Sequence, residues 1–173
     1  MFQDLDRRVA KWAAAAVAPR HVAAIRTVTH LGGTEVAVTA GALAGLVAQQ
    51  RTRSWRPAHY LVVTIVGQNV LHNLIKRVTR RGRPEGPHHS HFAGASFPSG
   101  HTSTAAAAWP AIVRTVLPGA GVPATVAALA AGPAVGATRV LLGVHWLSDV
   151  IAGLGVGWGW LAVASRLRCR LAP

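Results

Sequence analysis

The chain has 173 residues, of which 51% are hydrophobic and only 13% are charged, and it is too apolar for the surface of an ordinary soluble protein. Its net charge of +13 would fit a nucleic-acid partner, but the basic residues stand between long apolar segments and not on an aromatic-rich polar surface. These features argue against a nucleic-acid-binding protein and indicate a membrane protein with anionic partners such as lipid headgroups.

The first thirty residues predict two short helices that lie in the membrane interface. A polar start precedes the short apolar run Trp12–Ala18, which Pro19 ends. The next segment, 21–29, is only partly apolar and contains Arg26. Neither piece reaches the roughly 20 residues that a bilayer-crossing helix needs. A sixth, distorted span is the alternative, and Met1–Ala10 is too polar to predict a signal peptide.

Five apolar segments follow, and each approaches the length of a membrane span. Their predicted bounds are 33–50, 57–75, 101–117, 123–142 and 147–166. Alanine and glycine are frequent inside them, which favours close packing of helices in a bilayer. The sequence therefore predicts an all-α, polytopic membrane helix bundle that forms one domain over 1–173. A compact soluble helical bundle is the alternative.

The end of the second predicted span is polar. Gln68, His72 and Lys76 are four residues apart, so they share one face of a helix. Polar residues at that depth usually face the interior of a bundle or a cavity. For Gln68 and Asn69 we favour hydrogen bonds between helices.

The segment 76–100 is the longest polar stretch, and its length predicts a functional loop or lid. His88, His89 and His91 could bind a metal, yet Glu85 is the only carboxylate nearby. A solvated lid is therefore favoured over a metal site.

The same segment carries additional arginines whose role the sequence leaves open. Arg77, Arg80 and Arg81 would either contact a substrate headgroup or anchor the loop to anionic lipid.

Counting spans places the unusual polar residues on one side of the membrane. The loops 76–99 and 143–146 share that side, whereas 49–56, 118–122 and the end of the chain lie on the other. The residues that can meet there are Lys76, Arg83, His101, Arg139, His145 and Asp149.

The cations of this set suit one doubly charged anion. The guanidinium groups of Arg83 and Arg139 match phosphate oxygens, and Lys76 adds a point charge. The segment 98–101 precedes the third span, where free N–H groups and the helix dipole favour an anion. Gly100 would let the backbone approach that anion closely.

The two histidines supply the chemistry. His145 and Asp149 are four residues apart at the start of a helix, so the carboxylate can fix the ring tautomer and leave the other nitrogen free to attack phosphorus. His101 could protonate the leaving alcohol. Asp149 is one of only five acidic residues and stands at the mouth of an apolar helix, where it needs a partner.

Together these residues resemble the three-part signature of the type 2 phosphatidic acid phosphatase family. The parts are Lys76, six residues, then Arg83-Pro84; Pro98-Ser99-Gly100-His101; and Arg139, five residues, His145, three residues, Asp149. Order and spacing match from the second span to the last. The third part usually begins with Ser-Arg, whereas here Thr138 precedes the arginine and keeps only the hydroxyl in common.

The resemblance implies a metal-independent lipid phosphatase with no cofactor and a phosphohistidine intermediate. His145 would be the nucleophile, Asp149 its orienting partner and His101 the acid. The residues that would hold the phosphate are Lys76, Arg83, Ser99, Gly100 and Arg139, with Arg80, Arg81 and Thr138 as possible headgroup contacts.

Two other classes of protein stay open, a vanadate-binding haloperoxidase-like protein and a non-catalytic lipid transporter or scaffold. Substrates that qualify are a polyprenyl phosphate or pyrophosphate, a prenyl-linked sugar phosphate, phosphatidylglycerol phosphate and phosphatidic acid. The small alanine-rich bundle suits a bacterial inner membrane, and relatives that handle such lipids favour an extracytoplasmic site. No pattern indicates an oligomeric state.

Overall fold

The computed structural model describes residues 2–86, 88–90 and 94–170, and within these ranges it contains helices and no strand. Seven helices follow one another in the chain: α1 (Phe2–Ala16), α2 (Pro19–His30), α3 (Thr34–Thr52), α4 (Arg56–Thr79), α5 (Gly100–Val116), α6 (Val122–Leu141) and α7 (Leu147–Arg170). The five predicted spans coincide with α3 to α7, with ends that differ by a few residues.

The N-terminal segment forms two short helices, as predicted. Pro19 begins α2, a position where the missing N–H of proline costs no helical hydrogen bond. The helix α1 packs against α6 and α7, and α2 packs against α6. A bend of 44° separates α2 from α3. Both short helices therefore pack on α6, and α1 also contacts α7.

Length and composition qualify α6 and α7, within the described residues, as helices able to cross a membrane. The bent pair α2 and α3 adds a third span if it is taken as one broken helix. The other predicted spans exist as helices, but they do not meet the same criteria; α5, for example, has 17 residues. Neither the count of five spans nor the interfacial position of α1 and α2 is decided by this result, and both stay predictions.

The helix α5 is the centre of the bundle and contacts α3, α4, α6 and α7. Its residues 102–108 are all buried, and most have small side chains. Gly153 of α7 lies against the start of α5, where a Cβ would be 2.8 Å from the carbonyl oxygen of Ser99. This close approach, which only a glycine allows, holds the first turns of α5 and α7 side by side.

The helix α4 is longer than the second predicted span, because no helix-breaking residue follows Ile75 until Gly82. It ends at Thr79, and the next residue, Arg80, has a left-handed φ of 46° that turns the chain back over the bundle. The next residues are pinned on two sides: Ser96 donates from its N–H to the Arg81 carbonyl (2.9 Å), and Trp146 Nε1 donates to the Gly82 carbonyl (2.9 Å).

Candidate active site

A cavity of about 240 Å³ lies at the end of the bundle where α5 and α7 begin. Six of the eight residues that the sequence assigns to catalysis or phosphate binding line it: Lys76, Arg83, Gly100, His101, Arg139 and His145. The other two, Ser99 and Asp149, are fully buried behind its wall. The structure thus gathers residues from α4, α5, α6 and two loops around one small space.

The ring of His145 is oriented by the start of α7. Its Nδ1 lies 3.4 Å from Oδ2 of Asp149, and the same oxygen accepts the N–H of Trp146 at 2.9 Å. Burial lowers the pKa of His145 to about 4, so the ring is neutral at physiological pH. A neutral ring that donates from Nδ1 keeps the lone pair of Nε2 available on the cavity side.

Arg83 covers that lone pair in the structure. Its Nη1 donates to the carbonyl oxygen of Val144 at 2.6 Å and lies 3.3 Å from Nε2 of His145. Nη2 reaches the carbonyl oxygen of Ala95 at 3.3 Å. The guanidinium group therefore sits between the loop before α7 and the loop before α5, next to the nucleophile that the sequence predicts.

Arg139 is buried in α6 and has spare hydrogen-bonding capacity. Its Nη1 donates to the hydroxyls of Thr29 (3.2 Å) and Ser90 (3.4 Å). Its Nε has no hydrogen-bond partner among the described residues. A buried cation with an unused N–H is costly unless an anion completes it, and the cavity beside it supplies the place for one.

The first turn of α5 adds backbone donors. Ser99 precedes the helix in an extended conformation, and no side chain caps the N-terminus. The Ser99 hydroxyl accepts a hydrogen bond from Thr102 (2.8 Å) and so does not occupy the cavity. Gly32 packs on the other side, where a Cβ would lie 2.6 Å from the carbonyl oxygen of His101. Uncapped N–H groups at a helix start favour an anion.

A third histidine lines the cavity, which the sequence placed on the correct helix face without giving it a role. Gln68 donates from Nε2 to Ser103 (2.6 Å) and lies 3.2 Å from Nδ1 of His72, while its Oε1 accepts from Thr104 (3.2 Å). The carbonyl oxygen of Gln68 also lies 3.3 Å from the same Nδ1, so Gln68 contacts this ring nitrogen through both its side chain and its backbone. Asn69 accepts from Thr34 of α3 (3.0 Å). The prediction that Gln68 and Asn69 bond between helices is confirmed.

The residues predicted as headgroup contacts lie outside this cavity. Thr138 is buried and donates from its hydroxyl to the carbonyl oxygen of Val135 (2.6 Å). Arg80 is exposed and reaches back to the carbonyl oxygen of Arg77 (3.3 Å). Arg81 binds carboxylates: its Nη1 lies 2.7 Å from Oδ1 of Asp149, and its Nη2 also bonds to an acidic side chain.

The histidine loop makes backbone contacts. His89 donates from its N–H to the carbonyl oxygen of Leu142 (3.0 Å) and accepts from Nε of Arg26 (2.6 Å). Among the described residues no group of three or more His, Cys, Asp or Glu side chains is placed to hold a metal ion. His91 lies outside the described residues, so the metal alternative for the loop is not fully tested.

Sequence reasoning missed Asp6, the acidic residue that Arg81 binds. It is 3% exposed and reaches the start of α7, where it accepts the N–H of Ser148 at 2.9 Å. The sequence did contain one signal for Asp6, because only five residues of the chain are acidic. A carboxylate within a helix of such a basic chain is expected to pair with a cation.

Comparison with known proteins gives a consistent picture. A family model described as "PAP2 superfamily" matches residues 57–171. The lipid A 1-phosphatase of Rhizobium etli is 38% identical over 73% of this chain, but the match covers only 59% of that protein. The decaprenylphosphoryl-5-phosphoribose phosphatase of Mycolicibacterium smegmatis is 34% identical over 84% of this chain and 78% of its own length.

A solved structure has the same fold. The transmembrane phosphatidylglycerolphosphate phosphatase of Bacillus subtilis superposes with a TM-score of 0.91 at 25% identity, over 98% of this chain and 87% of that one. The predicted all-α membrane bundle is thereby confirmed.

Proposed function

The chain belongs to the PAP2 superfamily, and on that premise we propose that it is a membrane phosphatase that hydrolyses a phosphate ester or pyrophosphate carried by a lipid. One observation carries the proposal: His145 donates toward a buried carboxylate and turns its other nitrogen to a cavity lined by three cations and a second histidine. Three cations match a phosphate dianion, and the two imidazoles supply a nucleophile and an acid.

In the first step Nε2 of His145 attacks phosphorus and the bond between phosphorus and the lipid oxygen breaks. The negative charge of the bound phosphate favours the protonated form of His101. This ring gives its proton to that oxygen, so the lipid leaves as an alcohol, or as a phosphate if the substrate is a pyrophosphate. The phosphorylated ring keeps its Nδ1 proton and becomes cationic, and the Asp149 carboxylate stabilises it. Lys76, Arg83 and Arg139 offset the charge on the transferring oxygens.

In the second step a water molecule attacks phosphorus from the side that the lipid has left. His101, now neutral, takes a proton from this water, and the bond between phosphorus and Nε2 breaks with its electron pair returning to His145. Inorganic phosphate is released and both histidines regain their first protonation states. The residues of this chain thus supply every proton transfer in the cycle.

A groove between α3 and α4 supports a lipid as the substrate. Next to the catalytic cavity lies a second space of about 330 Å³, and the two share Thr34, Asn69 and Asn73. That space continues into an apolar one of about 310 Å³ through shared residues that include Val38 and Val66. A hydrocarbon chain could lie along this path with its phosphate in the cavity.

The relatives differ in the lipid that their names give, namely lipid A, a decaprenylphosphoryl sugar phosphate and phosphatidylglycerol phosphate. We therefore propose as the substrate class what these names share, a phosphate attached to a lipid. A panel of such lipids in detergent, with phosphate release measured in buffer that contains EDTA, tests the activity.

Filling the groove tests whether the lipid chain lies there. We expect Val66→Trp to lower kcat/KM for a long-chain lipid phosphate about 10- to 100-fold, because displacing a reacting group by about 1 Å can cost that much. Release of phosphate from the short, soluble ester p-nitrophenyl phosphate should not change, since it needs no groove.

Val126→Trp is the matched control, because Val126 is 57% exposed on α6 and lines neither the groove nor the catalytic cavity. If Val66→Trp lowered kcat/KM equally for lipid and soluble esters, the result would argue against binding of the lipid chain in the groove. Failure of the unmodified protein to release phosphate from any ester would instead argue against the proposed function.

We further propose that the cavity faces the extracytoplasmic side. Positively charged residues favour the cytoplasmic side of a membrane protein. The end opposite the cavity carries the exposed residues Arg51, Arg53, Arg56, Arg114, Arg166 and Arg168. The cavity end is also basic: besides the four residues that line the cavity or bind Asp149, it carries Arg7, Lys11, Arg26, Arg77 and Arg80. The count of basic residues therefore does not decide the side, and the proposal follows what the family resemblance implies.

Labelling of single cysteines checks this orientation. In a Cys169→Ser background, Glu85→Cys and Thr52→Cys place exposed thiols at opposite ends of the bundle. We expect an impermeant maleimide to label position 85 and not position 52 in intact cells. The reverse pattern would put the cavity in the cytoplasm.

A further inference from the structure

Arg81 bridges two buried carboxylates that come from distant parts of the chain. Its Nη1 lies 2.7 Å from Oδ1 of Asp149, and its Nη2 lies 2.7 Å from Oδ2 of Asp6. The two acidic side chains are 0% and 4% exposed, and that of Arg81 is 30% exposed. One guanidinium group thus joins α1 to the carboxylate that orients the ring of His145.

The contacts divide the oxygens of Asp149 between two tasks. Oδ1 accepts from Arg81, which leaves Oδ2 for the N–H of Trp146 and for Nδ1 of His145. Since Arg81 holds Oδ1 from the side, the carboxylate cannot rotate without breaking a charged hydrogen bond. Such bonds are about twice as strong as neutral ones.

Asp6 in turn fixes the arginine. Ser148 donates to this carboxylate from its N–H (2.9 Å) and from its hydroxyl (2.5 Å), at the N-terminus of α7, where a negative charge is stabilised. Burial acts to raise the pKa of Asp6, but the hydrogen bonds from Ser148 and Arg81 outweigh it, and the net shift is downward. Asp6 is therefore held as an anion.

From these contacts we propose that Asp6 and Arg81 are positioning residues of the reaction, which hold Asp149 in the orientation that His145 needs. Neither Asp6 nor Arg81 lines the catalytic cavity. Both act through Asp149. The inference rests on the proposed function for its kinetic consequence, although the geometry of the ring can be measured without turnover.

Loss of Asp6 should free Nη2 of Arg81 to turn toward Asp149, while Nη1 also contacts the hydroxyl of Ser148 (2.7 Å). That carboxylate would then move toward the arginine and away from Trp146 and His145. The phosphate ligands would stay in place, so substrate binding should change little while the chemical step slows.

The kinetics of Asp6→Asn test whether Asp6 positions Asp149. We expect kcat to fall about 10- to 100-fold, by analogy with the loss seen when a group that orients a metal-binding histidine is removed, with KM changed less than about twofold. Asp4→Asn is the matched control, because Asp4 lies on the same helix, is exposed and pairs with Arg7; it should retain the rate of the unmodified protein.

A double-mutant cycle separates positioning from simple docking of α1. If Asp6 acts through Arg81, Asp6→Asn should lower kcat no further in an Arg81→Met background. An equal loss in both backgrounds, or an unchanged kcat in the single variant, would overturn the proposal.

Nitrogen NMR of histidine gives a readout that needs no turnover. In the unmodified protein in micelles we expect His145, identified by the signal that His145→Gln removes, to be protonated at Nδ1. In Asp6→Asn the proton should shift in part to Nε2, while Asp4→Asn leaves the signal unchanged. An unaltered His145 signal in Asp6→Asn would refute the positioning role, whether or not the protein hydrolyses any ester. Absence of hydrolysis by the unmodified protein would refute the proposed function and leave the positioning role to the NMR result.

Discussion

His145→Gln should abolish phosphate release, with a loss of kcat of at least about 10⁴-fold, because removal of a nucleophile that acts within a linked set of residues costs at least that much. Glutamine keeps the approximate size of the ring but cannot form a covalent bond to phosphorus. Rapid acid-free quenching of the unmodified protein with radiolabelled substrate should trap label on the protein, and the variant should trap none.

His59→Gln provides the control for this result. His59 is exposed near the start of α4, at the end of the bundle away from the cavity, so its replacement should leave the rate unchanged. Thermal unfolding in detergent should be similar for both variants. A His145→Gln protein that releases phosphate at the unmodified rate would rule out a phosphohistidine on this residue.

His101→Gln should separate the two steps of the cycle. For a lipid or other alkyl phosphate we expect kcat to fall about 10²- to 10⁴-fold, the usual contribution of a general acid. p-Nitrophenolate leaves without help from an acid, so the first step with p-nitrophenyl phosphate should survive. The second step still lacks its base.

The measurement for His101→Gln is therefore a stopped-flow trace of nitrophenolate formation. We expect a burst of about one equivalent per active protein, followed by a slow steady rate. Absence of a burst combined with equal losses for both kinds of ester would mean that His101 holds the phosphate and does not transfer a proton.

Local spacing explains what the sequence could predict. A separation of four residues at a helix start leaves little freedom between His145 and Asp149, and the structure has Nδ1 3.4 Å from the carboxylate. The positions of the apolar segments predicted the positions of α3 to α7. Because successive spans cross the membrane in opposite directions, counting them placed the polar residues at one end. Whether each residue has the chemical role assigned to it is a matter for the experiments above.

Long-range pairing explains what the sequence could not predict. Arg81 was considered as a headgroup contact because arginines in polar loops often meet lipid, yet its direction depends on the left-handed turn at Arg80, and residue type does not signal such a turn at an arginine. Asp6 meets Ser148 across 142 positions of sequence. Only the packing of α1 on α7 brings them together.

The position of Arg83 has a consequence for selectivity. Its Nη1 lies 3.3 Å from Nε2 of His145, the nitrogen that we propose attacks phosphorus. A bound phosphate dianion would compete with His145 for this guanidinium group, because Arg83 lines the same cavity. A neutral electrophile brings no charge that competes for Arg83, so we expect uncharged alkylating reagents to modify His145 more slowly when Arg83 is present than in Arg83→Ala.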